Sequence, residues 1–307
     1  VVASVPLAKP ITFADTGDID GMVELPGGAF LMGTDSPDAF PADGEGPVRS
    51  VTVRPFYIDS CCVTNTRFQA FIEATKYITD AERFGWSFVF QGLLPKKYAQ
   101  RLAKNNAVVG LQWWLGVPGA YWRRPEGERS SLKQWMDHPV VHVSWNDAVA
   151  YCKWSGKRLP TEAQWEYAAR GGLKQNEFAW GNQLTPGGKH RCNIWQGKFP
   201  EHNTAEDGYV GTCPADAFPA NGYGLHNVAG NVWEWAHDWF SPQHHQAESP
   251  ATRDNPLGPE AGTHKVQKGG SFLCHRSYCN RYRVAARMFN TPDTSSSNSG
   301  FRCVRDV

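Results

Sequence analysis

Two cysteines five positions apart, Cys274 and Cys279, lie in the run Lys268-Gly269-Gly270-Ser271-Phe272-Leu273-Cys274-His275-Arg276-Ser277-Tyr278-Cys279-Asn280-Arg281-Tyr282-Arg283. Cationic neighbours favour thiolate over thiol, and the thiolate is the form that attacks electrophiles and binds soft metals. The pair could instead close a short structural disulfide loop in an oxidising compartment. Tetrahedral zinc asks for four ligands, usually from C-x2-C or H-x3-H elements, and neither cysteine belongs to a C-x2-C pair. Two thiolates with few other ligands suit Cu(I), which accepts low coordination and prefers sulfur, with room left for a third sulfur from a substrate.

Other chemistries lack their residues. The chain has no G-x-S-x-G elbow, no G-x-x-x-x-G-K-[ST] phosphate loop and no H-E-x-x-H, and Gly222-x-Gly224 lacks the third glycine of a dinucleotide fingerprint. His138 and His142 have i, i+4 spacing, but Pro139 disfavours a helix between them, so they read as core or turn histidines. A formal net charge of +1 and a pI near 7.7 offer no field for nucleic acid or an anionic membrane, and no run reaches the roughly 18 apolar residues of a membrane helix. The opening VVASVPLAKPITF resembles neither a signal peptide nor a transit helix, although a signal already cleaved would leave no trace.

The elements that must hold the thiol pair are few. Glycine (30), proline (21) and tryptophan (13) are abundant and long amphipathic patterns scarce, which predicts an irregular, loop-rich α+β domain with low secondary-structure content. Residues 1–19 read as an N-terminal extension and 20–307 as one catalytic domain. Ser144 with Asp147 starts a helix like a capping box, with Val149 and Cys152 on one face and Gly156 as the stop; Thr161 with Gln164 starts another that ends at Gly171. A third helix is predicted from Asn65 to Thr75, with Phe68, Phe71 and Ile72 on one side. Met22 to Leu25 and Ala29 to Met32, around Pro26-Gly27-Gly28, predict a hairpin, and Val51 to Ile58 another strand. Leu93 to Val117 carries the least pattern and reads as a surface excursion. The Trp113-Trp114 pair, Trp233, Trp235 and Trp239 read as core or groove walls.

KGGSFLCHRSYCNRYRVAAR, followed by NTPDTSSSNSGFRC from Asn290 to Cys303, resembles the formylglycine-generating enzymes, or sulfatase-modifying factors, in their catalytic branch. The likeness extends to PGGAFLMGT at Pro26, HPVVHVSWNDAVAYC at His138, GKRLPTEAQWEYAARGG at Gly156, NIWQG at Asn193 and NGYGLHNVAGNVWEW at Asn221. It implies a distantly C-type-lectin-like fold and a copper-dependent oxidase. Its substrate would be an unfolded or nascent sulfatase polypeptide, in which the cysteine of a Cys-x-Pro-x-Arg segment is converted to Cα-formylglycine with O2. In that reading Cu(I) sits between Cys274 and Cys279 and the substrate thiol arrives as a third sulfur. Ser271 hydrogen-bonds near the oxygen, Tyr278 orients the site, and Trp233, Arg287 and Asn298 line the peptide groove. An extended X-Pro segment is biased away from helix and suits a groove.

The resemblance further implies two structural Ca2+ sites, one from the Asn193 side chain, the Ile194 carbonyl, the Asp207 carboxylate and the Tyr209 carbonyl, the other from Asn227, Gly230, Val232 and Glu234. From spacing alone these segments read as Asn/Asp/Gly turns, since neither matches an EF-hand loop. Cys152 and Cys303 take the positions of a disulfide in the family, and a second pairing known from secreted members would fall at Ala169 and Val284, where both halves are missing together. Cys192 and Cys213 could pair or remain buried free thiols; adjacent Cys61 and Cys62 read as one outward and one inward residue.

Three other readings stand beside this one: a noncatalytic paralogue, which lacks the two active cysteines; an iron-dependent sulfoxide synthase, which carries a helical domain absent here; and a lectin-like or peptide-binding module. A monomer is expected, without nucleic-acid or membrane partners. The lack of an N-glycosylation acceptor and of a cysteine-bearing extension points to a bacterial cytoplasmic enzyme, whereas Cys152 and Cys303 pull towards a secretory lumen.

Overall fold

The computed structural model describes residues 19–307, so most of the expected extension at 1–19 lies outside the described residues. In chain order the elements are β1 (Met22–Leu25), β2 (Gly28–Met32), β3 (Arg49–Val53), β4 (Phe56–Asp59), α1 (Asn65–Thr75), α2 (Asp80–Phe84), β5 (Trp86–Phe90), α3 (Lys96–Asn106), β6 (Ala107–Val108) and β7 (Leu111–Pro118). They continue with α4 (Trp145–Trp154), α5 (Glu162–Arg170), β8 (Gly197–Lys198), β9 (His202–Asn203), β10 (Trp233–Trp239), α6 (Pro250–Arg253), β11 (Lys265–Lys268), β12 (Met288–Asn290), β13 (Ser299–Gly300) and β14 (Val304–Asp306). Much of the chain between them is turn and loop, as the composition predicts.

The three expected helices form with the expected starts. Thr64, Ser144 and Thr161 each accept a hydrogen bond from the third helical amide, and the latter two close full capping boxes with Asp147 and Gln164. Gly171 ends α5 at φ 58°. Phe68 and Phe71 bury the inner face of α1 against Trp122 and Tyr151, at about 1.5–3 kcal/mol for each large apolar side chain.

Three strand and loop expectations need correction. The two runs about Pro26-Gly27-Gly28 do not form a hairpin: β1 pairs with β4, and β2 with β3. Gly27, at φ 67°, crosses so close to the next strand that a Cβ would lie 2.4 Å from the Val53 carbonyl oxygen, and the chain leaves for a different sheet. The strand expected at 51–58 is two strands, parted at Arg54-Pro55, where proline cannot donate to a ladder. The excursion at 93–117 contains α3 and most of β7; Leu115 and Val117 are fully buried, and β7 pairs with β5 over Trp114–Pro118. Helix α3 escapes pattern reading because only Ala99 and Leu102 of its otherwise polar sequence are buried.

A four-stranded sheet, β12-β11-β10-β13, carries the functional region, and strand β10 is buried through Trp233, Glu234, Trp235 and Ala236. Its Glu234 receives Arg302 at 2.7 and 2.8 Å, Trp165 Nε1 at 2.7 Å and the Cys62 thiol at 3.2 Å. Arg302 spends its remaining donors on the carbonyls of Asp59, Ser60 and His226. Cys62 is buried and Cys61 half-exposed, the inward and outward pair expected. His142 is buried and held neutral, its pKa lowered by burial to about 3, with Nδ1 2.8 Å from Ser87 Oγ. Ala169 and Val284 share one apolar cluster, so two small core side chains stand where a second disulfide was considered. Among the described residues, no helix is long and apolar enough to cross a membrane.

Removing Arg302 leaves Glu234 buried without its countercharge. Arg302→Leu is expected to cost about 3–5 kcal/mol, seen as a lower urea midpoint with an unchanged slope.

Candidate active site

The chain leaves β11 through Gly269 and Gly270, both at positive φ, and returns so closely that a Cβ on Gly270 would lie 3.0 Å from the Arg281 carbonyl oxygen. The excursion between them carries the two cysteines. Turn bonds from Cys274 N to Ser271 O (2.9 Å) and from Cys279 N to His275 O (2.7 Å) fold it, and Phe272 N to Asn231 O and Trp195 N to Cys274 O fasten it to neighbouring loops. The Cys274 and Cys279 sulfurs face each other at 2.8 Å as free thiols. They are buried with Trp233, Tyr282, Phe178, Cys192, Ile194 and Ala229.

The two sulfurs differ electrostatically. The hydrogen bond from Cys274 holds the Cys279 thiol below its ordinary pKa, aided by the Arg281 guanidinium against the opposing effect of burial. Burial pushes Cys274 well above the ordinary value, and the bond to Cys279 adds to that. Of the two, Cys279 is therefore the one favoured as thiolate. Arg281 is anchored in turn by Asp43, at 2.6 Å. Sequence reasoning missed both residues: Arg281 reads as one cation among several, and Asp43 is 238 positions away.

The other expected residues divide. Asn298 Nδ2 donates to Ser271 Oγ at 2.9 Å, and the Ser271 amide lies 3.4 Å from Cys274 Sγ, so both reach the thiols' surroundings. Trp233 belongs to the same buried cluster. Tyr278 stacks on Phe199 with ring centroids 4.2 Å apart and meets Trp113 edge-on at 5.1 Å, forming an aromatic wall. Arg287 is elsewhere: it grips Glu162 at 2.7 and 2.8 Å and donates to the carbonyls of Asp43, Gly44 and Ser241. Its place is in the buried charge network.

The donor sets can be tested against the expected metals. Two converging thiols, one already favoured as thiolate, fit a soft monovalent ion. At the first oxygen-rich segment, the buried Asn193 Oδ1 has no partner, and the Ile194 carbonyl and Asp207 Oδ2 converge on one donor, Gln196 Nε2. That convergence fits a hard cation. At the second segment the buried Asn227 Oδ1 also lacks a partner, but the Glu234 carboxylate is committed to Arg302, so Glu234 has only its main-chain oxygen to offer. Among the described residues no three His, Cys, Asp or Glu side chains cluster as a ligand set. Cys152 and Cys303 meet at 3.3 Å as free thiols, whereas Cys192 and Cys213 are buried free thiols with no bond between them.

Residues 9–307 match the family model described as "Sulfatase-modifying factor enzyme 1-like domain". The chain belongs to this family. It is 63% identical over 287 residues to a protein of Thermomonospora curvata named "Formylglycine-generating enzyme", covering 93% of each chain. It is also 48% identical to a Bos taurus protein named "Inactive C-alpha-formylglycine-generating enzyme 2", covering 94% of this chain and 88% of that one. The structure of PvdO from Pseudomonas aeruginosa superposes with a TM-score of 0.68 at 24% identity, over 98% of this chain and all of the other, and shows the fold to be shared. Family membership thus includes a relative named inactive, so membership alone does not decide whether this chain turns over a substrate.

In reduced, metal-free protein, one of the two thiols is expected to alkylate with iodoacetamide below pH 9. Arg281→Met withdraws a cation from Cys279, so its thiol pKa rises and the rate at pH 7 falls several-fold. An unchanged pH–rate profile in Arg281→Met would contradict the assignment.

Proposed function

We propose that the protein converts a cysteine of an unfolded sulfatase polypeptide, within a Cys-x-Pro-x-Arg segment, to Cα-formylglycine with O2 as electron acceptor. The observation that carries this reading is the buried, opposed pair Cys274 and Cys279, sulfurs 2.8 Å apart, in a chain so similar to named formylglycine-generating enzymes. Cys274 and Cys279 would hold Cu(I), which supplies one-electron chemistry towards O2. The substrate thiol passes two electrons and two protons to O2, which reaches the peroxide level, and becomes a thioaldehyde; water then releases hydrogen sulfide and leaves the aldehyde. Trp233 and the Tyr278–Phe199–Trp113 wall exclude water from the oxidation. Ser271 presents a hydroxyl beside the reacting sulfur, oriented by Asn298. Ca2+ would bind Asn193 Oδ1, Ile194 O, Asp207 and Tyr209 O, and a second ion Asn227 Oδ1 with the carbonyls of Gly230, Val232 and Glu234.

A cavity of about 1250 Å³ supports the peptide reading. Phe272 and Ser297 form part of its wall, each next in sequence to a residue of the site, Ser271 and Asn298. Glu126 lines the same cavity, and burial holds its carboxyl above the ordinary value. A substrate guanidinium arriving there would stabilise the carboxylate against the effect of burial, which gives the arginine of the segment a partner.

With Cu(I), O2 and a Cys-x-Pro-x-Arg peptide, wild type is expected to give an aldehyde seen by mass loss and hydrazide capture, and Cys279→Ser none; equal turnover by the two would overturn the site. Cys152→Ser is expected to keep turnover. Its loss of stability, about 3–5 kcal/mol from the closed loop, appears only in oxidised protein if that pair forms a disulfide. Glu126→Gln is expected to raise KM about tenfold for the arginine peptide and to leave KM unchanged for a peptide with norleucine in its place.

A further inference from the structure

A run of hydrogen bonds, buried from Gln267 onward, leads through the four-stranded sheet to Ser271, and every link points the same way. Asn290 Nδ2 donates to Gln267 Oε1 at 2.9 Å, which fixes the Gln267 amide so that its Nε2 donates to Ser299 Oγ at 3.1 Å. Ser296 gives its hydroxyl hydrogen to Asn298 Oδ1 at 2.8 Å, so the hydrogen in the 2.9 Å contact between Ser296 and Ser299 comes from Ser299. With its oxygen engaged, Asn298 turns its Nδ2 to Ser271 Oγ at 2.9 Å. Ser271 Oγ also accepts from Leu273 N at 3.3 Å. Both acceptor positions of that hydroxyl are filled, and what it has left is its own hydrogen.

Gln267, Ser271, Ser296, Asn298 and Ser299 are all buried, so solvent does not compete for the bonds among them, and only Asn290 at the start of the run is half-buried. Reversing one link would leave a donor facing a donor and an acceptor facing an acceptor in a low-dielectric interior, which is costly. Aligned hydrogen bonds also polarise one another, so the last hydroxyl is a better donor than an isolated serine.

From this direction of donation we infer that Ser296, Ser299 and Gln267 are positioning residues that make Ser271 an obligatory hydrogen-bond donor to an anionic atom at the thiol pair. The inference rests on the function proposed above and deepens it: the hydroxyl is set to stabilise negative charge as it develops on the substrate sulfur or on the oxygen being reduced. A serine free to rotate would divide its time between donating and accepting. Here the sheet removes that choice. The thiol-bearing run and its serine stand out in the sequence, whereas Gln267 becomes part of the site only through strand pairing, Gln267 on β11 and Ser299 on β13, either side of β10, and Ser296 joins them through Ser299.

The test is Ser296→Ala, which keeps the volume nearly constant and removes the central donor. With the copper-loaded enzyme and the Cys-x-Pro-x-Arg peptide, kcat is expected to fall about tenfold while KM stays within twofold, and Ser296→Thr to restore kcat. In a Ser271→Ala background the additional Ser296→Ala change is expected to cost nothing further. An unaltered kcat in Ser296→Ala, or losses that multiply in the double variant, would overturn the inference. A second readout needs no turnover: in reduced, copper-free protein the Asn298 side-chain amide signal, assigned by its loss in Asn298→Asp, should exchange with solvent at least tenfold faster in Ser296→Ala. Should wild type make no aldehyde, the functional reading falls, and this exchange rate alone decides whether the network exists; equal exchange in wild type and Ser296→Ala rejects it.

Discussion

Buried guanidinium groups hold this fold together, and the reason lies in its shortage of regular structure. A chain made largely of turns has many carbonyl groups that no helix or ladder satisfies, yet burying them unpaired is costly. Arginine offers five donors in a rigid fork, so one side chain can take a carboxylate with one edge and loop carbonyls with the rest. Arg302 does this for Glu234 and the carbonyls of Asp59, Ser60 and His226. Arg287 does it for Glu162 and the carbonyls of Asp43, Gly44 and Ser241. Lysine, a point charge on a flexible stem, could not replace either without orphaning several acceptors.

The same device reaches the thiols. Arg281 bonds Asp43, and Arg283 makes a paired contact with Glu45, so the short stretch 43–45 is gripped by successive arginines just beyond Cys279. On the other side, Asn231 and Trp195 fasten Phe272 and Cys274 through main-chain bonds. Fixed at both ends, the excursion has little freedom to part its sulfurs. Their opposite displacements follow from that closeness, because two thiolates at 2.8 Å in an apolar shell would repel each other without solvent to screen them, so the charge favoured at Cys279 is disfavoured at Cys274.

What could be read from the sequence follows the range of the interactions. The caps at Ser144 and Thr161 and the stop at Gly171 act within a few residues, and the helices they predict are present. The cysteines are legible for the same reason, being five positions apart with cations beside them. The hairpin at Gly27 failed because it depends on which distant segment lies alongside: β1 and β2 read as partners until β4 and β3 are seen to take them, whereas the strand at 51–58 is broken locally by Pro55. Arg287 shows the limit of family likeness. Its neighbourhood in the sequence belongs to the site, but Glu162, 125 positions away, draws its side chain into the charge network.

Loop carbonyls that arginine does not reach can be gathered in another way. At residues 193–209 the Gln196 side chain turns back so that its Nε2 meets both the Ile194 carbonyl and Asp207 Oδ2, while its Oε1 accepts from the Asp207 amide. A neutral amide thus stands among oxygens, with Asn193 Oδ1 left over. Such an arrangement concentrates negative potential that one amide only partly offsets, and a divalent cation would offset it more fully. The segment is not remote from the chemistry: Asn193 pairs with Gly230, Asn231 N bonds Asn193 O, and Trp195 N bonds Cys274 O. Ordering these carbonyls therefore orders the cysteine loop, so a cation at this segment would act on the reaction centre through the main chain, without approaching either sulfur.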